Sequence, residues 1–114
     1  MANVMLRFDM RLPEFATSSQ ADLYETAIEM CAWGDQHAIG SVHLSEHHGA
    51  DDGYCPSPMV LASAIAARTR NMRIFLSALI APLHDPVRLA EDLTVLDNIS
   101  RGRVIPILSG GYRE

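Results

Sequence analysis

The stretch SVHLSEHH, residues 41–48, places Glu46, His47 and His48 directly after a short β-like run, with His43 inside that run. Three kinds of chemistry suit these residue types. Convergent imidazoles and carboxylates hold metals. A single imidazole, whose ordinary pKa is about 6.5, moves protons near neutral pH. A polar turn needs neither. His43, Glu46, His47, Asp51 and Asp52 can be drafted as metal ligands, but their spacing matches no familiar zinc pattern. Asp51-Asp52-Gly53 lacks the ligand series of a calcium loop and reads as a turn. Acid–base work at His47 is the sharper reading, and a histidine that only hydrogen-bonds a neighbouring backbone group is the bland one. Glu46 is placed to orient His47 or to pair with an arginine, and His48, being adjacent, points elsewhere. On strict alternation His43 shares a face with Ser45 and His47, and a satisfied core imidazole is its default role.

Other polar groups sit at comparable places. Asp9 and Arg11 flank the end of the first strand-like segment, as an ion pair or as part of a pocket. Gly110-Gly111 could bring backbone N–H groups toward an anion, or simply turn. Arg88, Glu91 and Asp92 belong to a helix surface, and Arg101 and Arg103 flank a turn with no chemistry assigned.

These groups depend on the elements that carry them. VMLRF (4–8), SVHLS (41–45), RIFLSALI (73–80) and RVIPIL (103–108) read as strands. Between the first two, Ser19 with Asp22 makes a capping box, and Leu23, Ala27, Met30, Cys31 and Gly34 follow at helical spacing as far as His37. Ser57-Pro58 and Asp85-Pro86 each pair an N-cap residue with proline at the first helical position. Leu61, Ala64, Ile65 and Arg68 then share one side of the second helix, and Leu89, Leu93 and Leu96 are the buried positions of the third. Ser100-Arg101-Gly102 ends that helix.

Strands and helices alternating at this period form βα units on a parallel sheet. The near-continuous apolar runs of the central strands predict burial on both faces. Two α/β folds compete. A doubly wound nucleotide-binding domain calls for a glycine-rich turn after strand one, where this chain has DMRLPEF. A (β/α)8 TIM barrel uses about 31 residues per unit and builds its active face at the C-terminal strand ends. Asp9, then Glu46 and His47, then Ser77, then Ser109 fall at those ends. The expected fold is therefore the N-terminal half, (βα)3β or about four units, of a TIM barrel, with residues 1–114 the N-terminal portion of one such domain; a small doubly wound domain is the alternative. Half a barrel has open edges, which predicts dimerisation, strand swapping or aggregation.

The 114 residues suffice for one small domain, and a composition 48% hydrophobic and 20% charged is that of a globular protein. A net charge of −5 offers no basic stripe for nucleic acid. The apolar runs are too short to span a bilayer, and Arg7, Asp9, Arg11 and Glu14 interrupt any signal-peptide core. Cys31, on an apolar helix face, and Cys55, in a loop, read as reduced thiols, and the expected compartment is the cytoplasm.

FDMRLP, LSEHHGADDGYCPSP, LSALIAPLHDPVRLAEDLTVLDNISRGR and SGGYRE, taken in order and spacing, resemble the luciferase-like monooxygenase family over nearly the whole chain. The resemblance implies a TIM barrel binding a flavin at its C-terminal strand ends, with His47 at the place of a catalytic histidine. It also implies a strand-three bulge with a cis peptide, here Ser77–Ala78, against which the isoalloxazine packs. Ser109 and Gly110 fall at flavin-binding places, Ser109 where luciferase has a reactive cysteine and Gly110 where it has a basic residue. Both departures point away from light emission and toward a general flavin-dependent oxidoreductase. The reading for the parent protein is a monooxygenase using reduced FMN and oxygen on a small organic molecule. His47 is the acid/base, Glu46 its supporter, and Ser77, Ala78, Ser109, Gly110 and Asp9 are the cofactor-binding residues, with no metal. A flavin reductase supplying reduced flavin and a homo-oligomer are the expected partners, and neither nucleic acid nor membrane is expected. A deazaflavin-dependent hydride transfer is the alternative chemistry, and a catalytically inactive half-barrel the alternative state of this chain.

Overall fold

The computed structural model describes residues 3–111. Strand β1 spans Met5–Phe8, helix α1 Gln20–Gln36, β2 Ser41–Leu44, α2 Pro58–Arg68, β3 Arg73–Ile80, α3 Pro86–Ser100 and β4 Val104–Ser109, with a 3-10 turn at Ala81–Leu83 after β3. The strands form one parallel sheet in the order β1-β2-β3-β4. A doubly wound sheet reverses its strand order at a switch point. No reversal occurs here, and α2 packs against both α1 and α3, so the units follow one another as in the first half of a (β/α)8 barrel.

The local signals explain the helix limits. At α1 both capping-box bonds form: the Asp22 N–H donates to Ser19 Oγ at 3.2 Å, and the Ser19 N–H donates to the Asp22 carboxylate at 2.7 Å. Asp85 caps α3 by accepting from the Arg88 N–H at 2.9 Å. Ser57 stands at the N-cap of α2 ahead of Pro58, yet its side chain makes no capping bond. Helix α3 ends with Arg101 in the left-handed region and Gly102 at φ 78°, whose N–H reaches back to the Asp97 carbonyl.

Val42 and Leu44 of β2 and Ile74 and Leu76 of β3 point to the helix side and are essentially fully buried among Ala27, Cys31, Leu61, Ile65, Leu89 and Leu96. The other face differs from the expectation of burial on both sides. There Arg7, His43, Phe75 and Ile105 lie side by side in register, and His43 and Phe75 are only half-buried. Among the described residues the helices cover one face alone. Met30, assigned to the buried stripe of α1, is 44% exposed, and Arg68 leaves the α2 core side to pair with Glu29 at 2.8 Å.

At the opposite, N-terminal end of the strands, Arg103 has a structural task that its position in a turn concealed. Every nitrogen of its guanidinium donates: Nε to the Ser100 carbonyl at 2.6 Å, Nη1 to Thr69 Oγ1 and the Met72 carbonyl, and Nη2 to the carbonyls of Ala66 and Thr69. It thereby satisfies the C-terminal carbonyls of two helices, the groups that a helix cannot pair internally. Asp35 completes this end by accepting the backbone N–H groups of Arg70, Asn71 and Met72. Burial pushes its carboxyl pKa up, but those bonds outweigh burial and hold it below the usual range.

Candidate active site

The C-terminal ends of β2, β3 and β4 open onto a cleft of about 410 Å³. His47, His48, Tyr54, Ile80, Pro82, Leu83, Gly110 and Gly111 supply its walls. Two sites named from the sequence, His47 and Gly110, therefore meet in one cavity. Gly111 holds φ 83°, and a Cβ there would come within 3.2 Å of Ile80, so glycine lets the chain turn close beside the end of β3.

The peptide bond Ser77–Ala78 is cis, and the β3–β4 register shifts between Ser77 and Leu79. Glu46 straps this bulge from β2. Its N–H donates to the Ala78 carbonyl at 3.3 Å, and its carboxylate accepts the Ile80 N–H at 2.7 Å. The same carboxylate takes His48 Nε2 at 2.7 Å and His84 Nε2 at 3.0 Å. Glu46 is thus a buried anion serving His48, His84 and the backbone after the bulge, rather than the expected brace for His47 or an arginine. Burial pushes its carboxyl pKa up; the bonds from His84, His48 and Ile80 more than offset that and leave it lowered. His48, expected to point elsewhere, helps hold this carboxylate and also lines the cleft. His84, just before the cap of α3, was not singled out; its one visible signal was a fifth histidine beside an Asp-Pro helix start.

His47 is positioned by the β2–α2 loop. Its N–H donates to the Cys55 carbonyl at 2.9 Å, and its ring stacks on Tyr54 with centroids 3.6 Å apart and planes 17° apart. Tyr54 was likewise missed, an aromatic in a turn-rich loop with no spacing signal. The guanidinium of Arg11 lies over the Tyr54 ring, 4.9 Å from its centroid. Asp9 is engaged by Arg11, whose Nε and Nη2 donate at 3.0 and 2.9 Å while its backbone N–H donates at 3.1 Å. The structure places Asp9 in a separate depression between β1 and α1, outside the His47 cleft. Burial pushes the Asp9 carboxyl pKa up, but the Arg11 bonds and charge hold it low.

The remaining assigned residues sit beneath or beside the cleft. The Ser77 hydroxyl lies 3.4 Å from His43 Nδ1, and the His43 ring stacks on Phe75 at 4.5 Å. Burial, with the nearby charge of Arg7, lowers the His43 pKa. Ser109 Oγ accepts the Gly111 N–H at 3.0 Å and so shapes the turn that brings Gly110-Gly111 to the cleft. Asp51-Asp52-Gly53 is a turn, with Gly53 at φ 76°. Among the described residues, no group of three His, Cys, Asp or Glu side chains is arranged to hold a metal. Both cysteines are buried free thiols, and burial pushes Cys31 up to about 12.

The model of the family described as luciferase-like monooxygenase matches residues 8–113. The chain belongs to the luciferase-like monooxygenase family. The oxygenase component of a flavin-dependent trigonelline monooxygenase from Acinetobacter baylyi is 30% identical over 95 residues, which cover 82% of this chain and 26% of that protein. The alkanal monooxygenase alpha chain of Photorhabdus laumondii is 29% identical over 91 residues, 80% of this chain and 24% of the relative. Among solved structures, a monooxygenase from Streptomyces bottropensis superposes with a TM-score of 0.82 at 28% identity, covering 94% of this chain and 32% of that one. The oxygenating constituent of 3,6-diketocamphane monooxygenase from Pseudomonas putida, solved in complex with FMN, superposes with a TM-score of 0.85 at 24% identity, covering 97% of this chain and 30% of that one; that likeness bears on fold alone. The chain thus spans about a quarter to a third of the length of these relatives. No helix among the described residues is long and apolar enough to cross a membrane.

Proposed function

We propose that residues 1–114 form the N-terminal portion of a flavin-dependent monooxygenase, in which reduced FMN and molecular oxygen act on a small organic molecule at the cleft above β2, β3 and β4. The observation that carries this reading is the convergence, in a member of this family, of His47 and Gly110-Gly111 on one cavity beside the Ser77–Ala78 bulge.

The cavity suits a flat ring. Ile80, Pro82 and Leu83 offer apolar walls, the glycine pair leaves room for close backbone approach, and the stacked rings of His47 and Tyr54 present a planar edge. FMN, when bound, supplies the redox chemistry with oxygen. The chain's own residues would do the rest. Ser77 and Ala78 form the platform, Ser109 sets the glycine turn, and Glu46 ties β2 to the platform. His47 gives or takes a proton at the cleft edge, a task suited to an imidazole at neutral pH. Asp9 acts at one remove, by bracing Arg11. The A. baylyi relative is named an oxygenase component, which favours a separate flavin reductase as the supplier of reduced flavin. A homo-oligomer and a cytoplasmic setting complete the proposal.

The test is an equilibrium titration with FMN and with a deazaflavin, each oxidised and reduced, followed by flavin fluorescence. The chain spans only 30% of the length of the relative solved with FMN, so FMN should bind it weakly, with a Kd on the order of 1 mM. Binding of neither cofactor would remove the flavin reading; preference for the deazaflavin would replace monooxygenation with hydride transfer.

A further inference from the structure

We infer that Tyr54 is the positioning residue for His47, held in turn by Arg11 and Asp9, so that the β1–α1 loop sets the direction of the acid/base imidazole. This rests on the acid/base reading of His47 given above.

The observations form a chain of contacts across two loops. Asp9 fixes Arg11 by accepting its backbone N–H, Nε and Nη2, and Arg11 lies over the ring of Tyr54. Tyr54 stacks on His47 nearly parallel, and both line the cleft. The backbone beneath this stack is tied to the first loop at each step. The Leu12 N–H donates to the Asp52 carbonyl at 2.8 Å, and the Cys55 N–H donates to the Asp9 carbonyl at 3.2 Å. Gln20 Nε2 donates to the carbonyls of Met10 and Gly53 at 2.8 and 3.2 Å. The Asp52 side chain accepts the Tyr54 N–H at 3.3 Å. Gly53 holds φ 76°, a conformation that disfavours a side chain, and a Cβ there would also displace Gln20 Nε2 from its two carbonyls. Tyr54 is therefore delivered to His47 by a loop with little freedom to withdraw.

A proton-transferring group works only in a narrow range of positions and directions, and a displacement of about 1 Å can cost on the order of 100-fold in rate. Stacking restrains the plane of the imidazole through its face, so the restraint itself does not compete with the ring nitrogens for hydrogen bonds or protons. An aromatic face also accepts an imidazolium and a neutral imidazole alike. Tyr54 thereby suits a histidine that alternates between the two forms.

Proton NMR of the 114-residue chain tests the inference directly. In the unsubstituted chain the ring protons of His47 and Tyr54 should show mutual nuclear Overhauser effects, and His47 should be displaced upfield by the ring current. Tyr54→Phe should keep both signatures. Tyr54→Leu should lose the displacement while the His43 and His84 resonances stay in place. Arg11→Met should broaden or shift the Tyr54 ring signals and reduce the His47 displacement. Absence of the Overhauser effects in the unsubstituted chain would overturn the inference even if Tyr54→Leu failed to fold. An unmoved His47 in a folded Tyr54→Leu would overturn it as well. Adding FMN to the unsubstituted chain separates the two claims. If the stack is present and FMN leaves His47 unperturbed, the flavin reading fails and the positioning claim stands.

Discussion

Replacing Glu46 by leucine removes the one buried carboxylate that joins β2 to the far side of the Ser77–Ala78 bulge. The Ile80 N–H, bonded at 2.7 Å, loses an ionised acceptor, worth about 1.5–3 kcal/mol. His84, with a side chain 22% exposed, loses a partner worth ~1 kcal/mol, and His48, at 44% exposed, contributes only ~0.3 kcal/mol. The expected loss is about 3 kcal/mol, or on the order of 15 °C in Tm for a domain of this size. Glu46→Gln can still accept from Ile80 and should lose about half as much. The pH dependence has a definite sign. The folded-state pKa of Glu46 is lowered, so its stabilisation is present above the unfolded value of about 4.3 and is lost as pH falls through the folded value. Urea denaturation followed by circular dichroism at pH 7 and pH 3 reads both effects. The gap between wild type and Glu46→Gln should shrink at pH 3. A Glu46→Leu variant within ~0.5 kcal/mol of wild type, or a gap unchanged by acid, would refute the reasoning.

Three other outcomes follow from the same contacts. Arg103→Met leaves the carbonyls of Ala66, Thr69, Met72 and Ser100 without their donor and should cost about 3 kcal/mol in urea denaturation, with Arg103→Lys recovering only part because an ammonium lacks the planar fork. Gly53→Ala should destabilise by about 1–2 kcal/mol in the same assay, since its φ of 76° disfavours a side chain and Gln20 occupies the space. Cys31 and Cys55, buried and with pKa values pushed up chiefly by burial, should react with iodoacetamide at pH 7.5 roughly 100-fold more slowly in the native chain than in urea.

The fold was legible because its signals are local. The Ser19–Asp22 box, the two cap-proline starts and the Arg101-Gly102 stop place three helices, and the apolar runs between them place the strands. The layer count was less legible. A run such as RIFLSALI is apolar on both faces, and periodicity cannot tell that Phe75 stays half-buried while Leu76 is enclosed. At the site, adjacency in SEHH suggested that His48 points away from His47, yet both line the cleft, and it misled on partners as well. Glu46 joins residues 34 and 38 positions away, and only the β2–β3 pairing brings them within reach. Tyr54 and His84 escaped notice for the same reason: each acquires its place by contact across loops. Arg103 looked like a turn residue because the α2-end carbonyls of Ala66 and Thr69 that it serves lie 37 and 34 positions away in sequence.

The location of the flavin site is the central claim, and backbone amide NMR during a titration of the chain with FMN into the millimolar range tests it most directly. Saturable shifts centred on His47, Ile80, Gly110 and Gly111, with the surface of α2 and α3 unmoved, are the predicted result. Saturable shifts centred on the residues of α2 and α3, or no saturable shift at the strand ends, would contradict it.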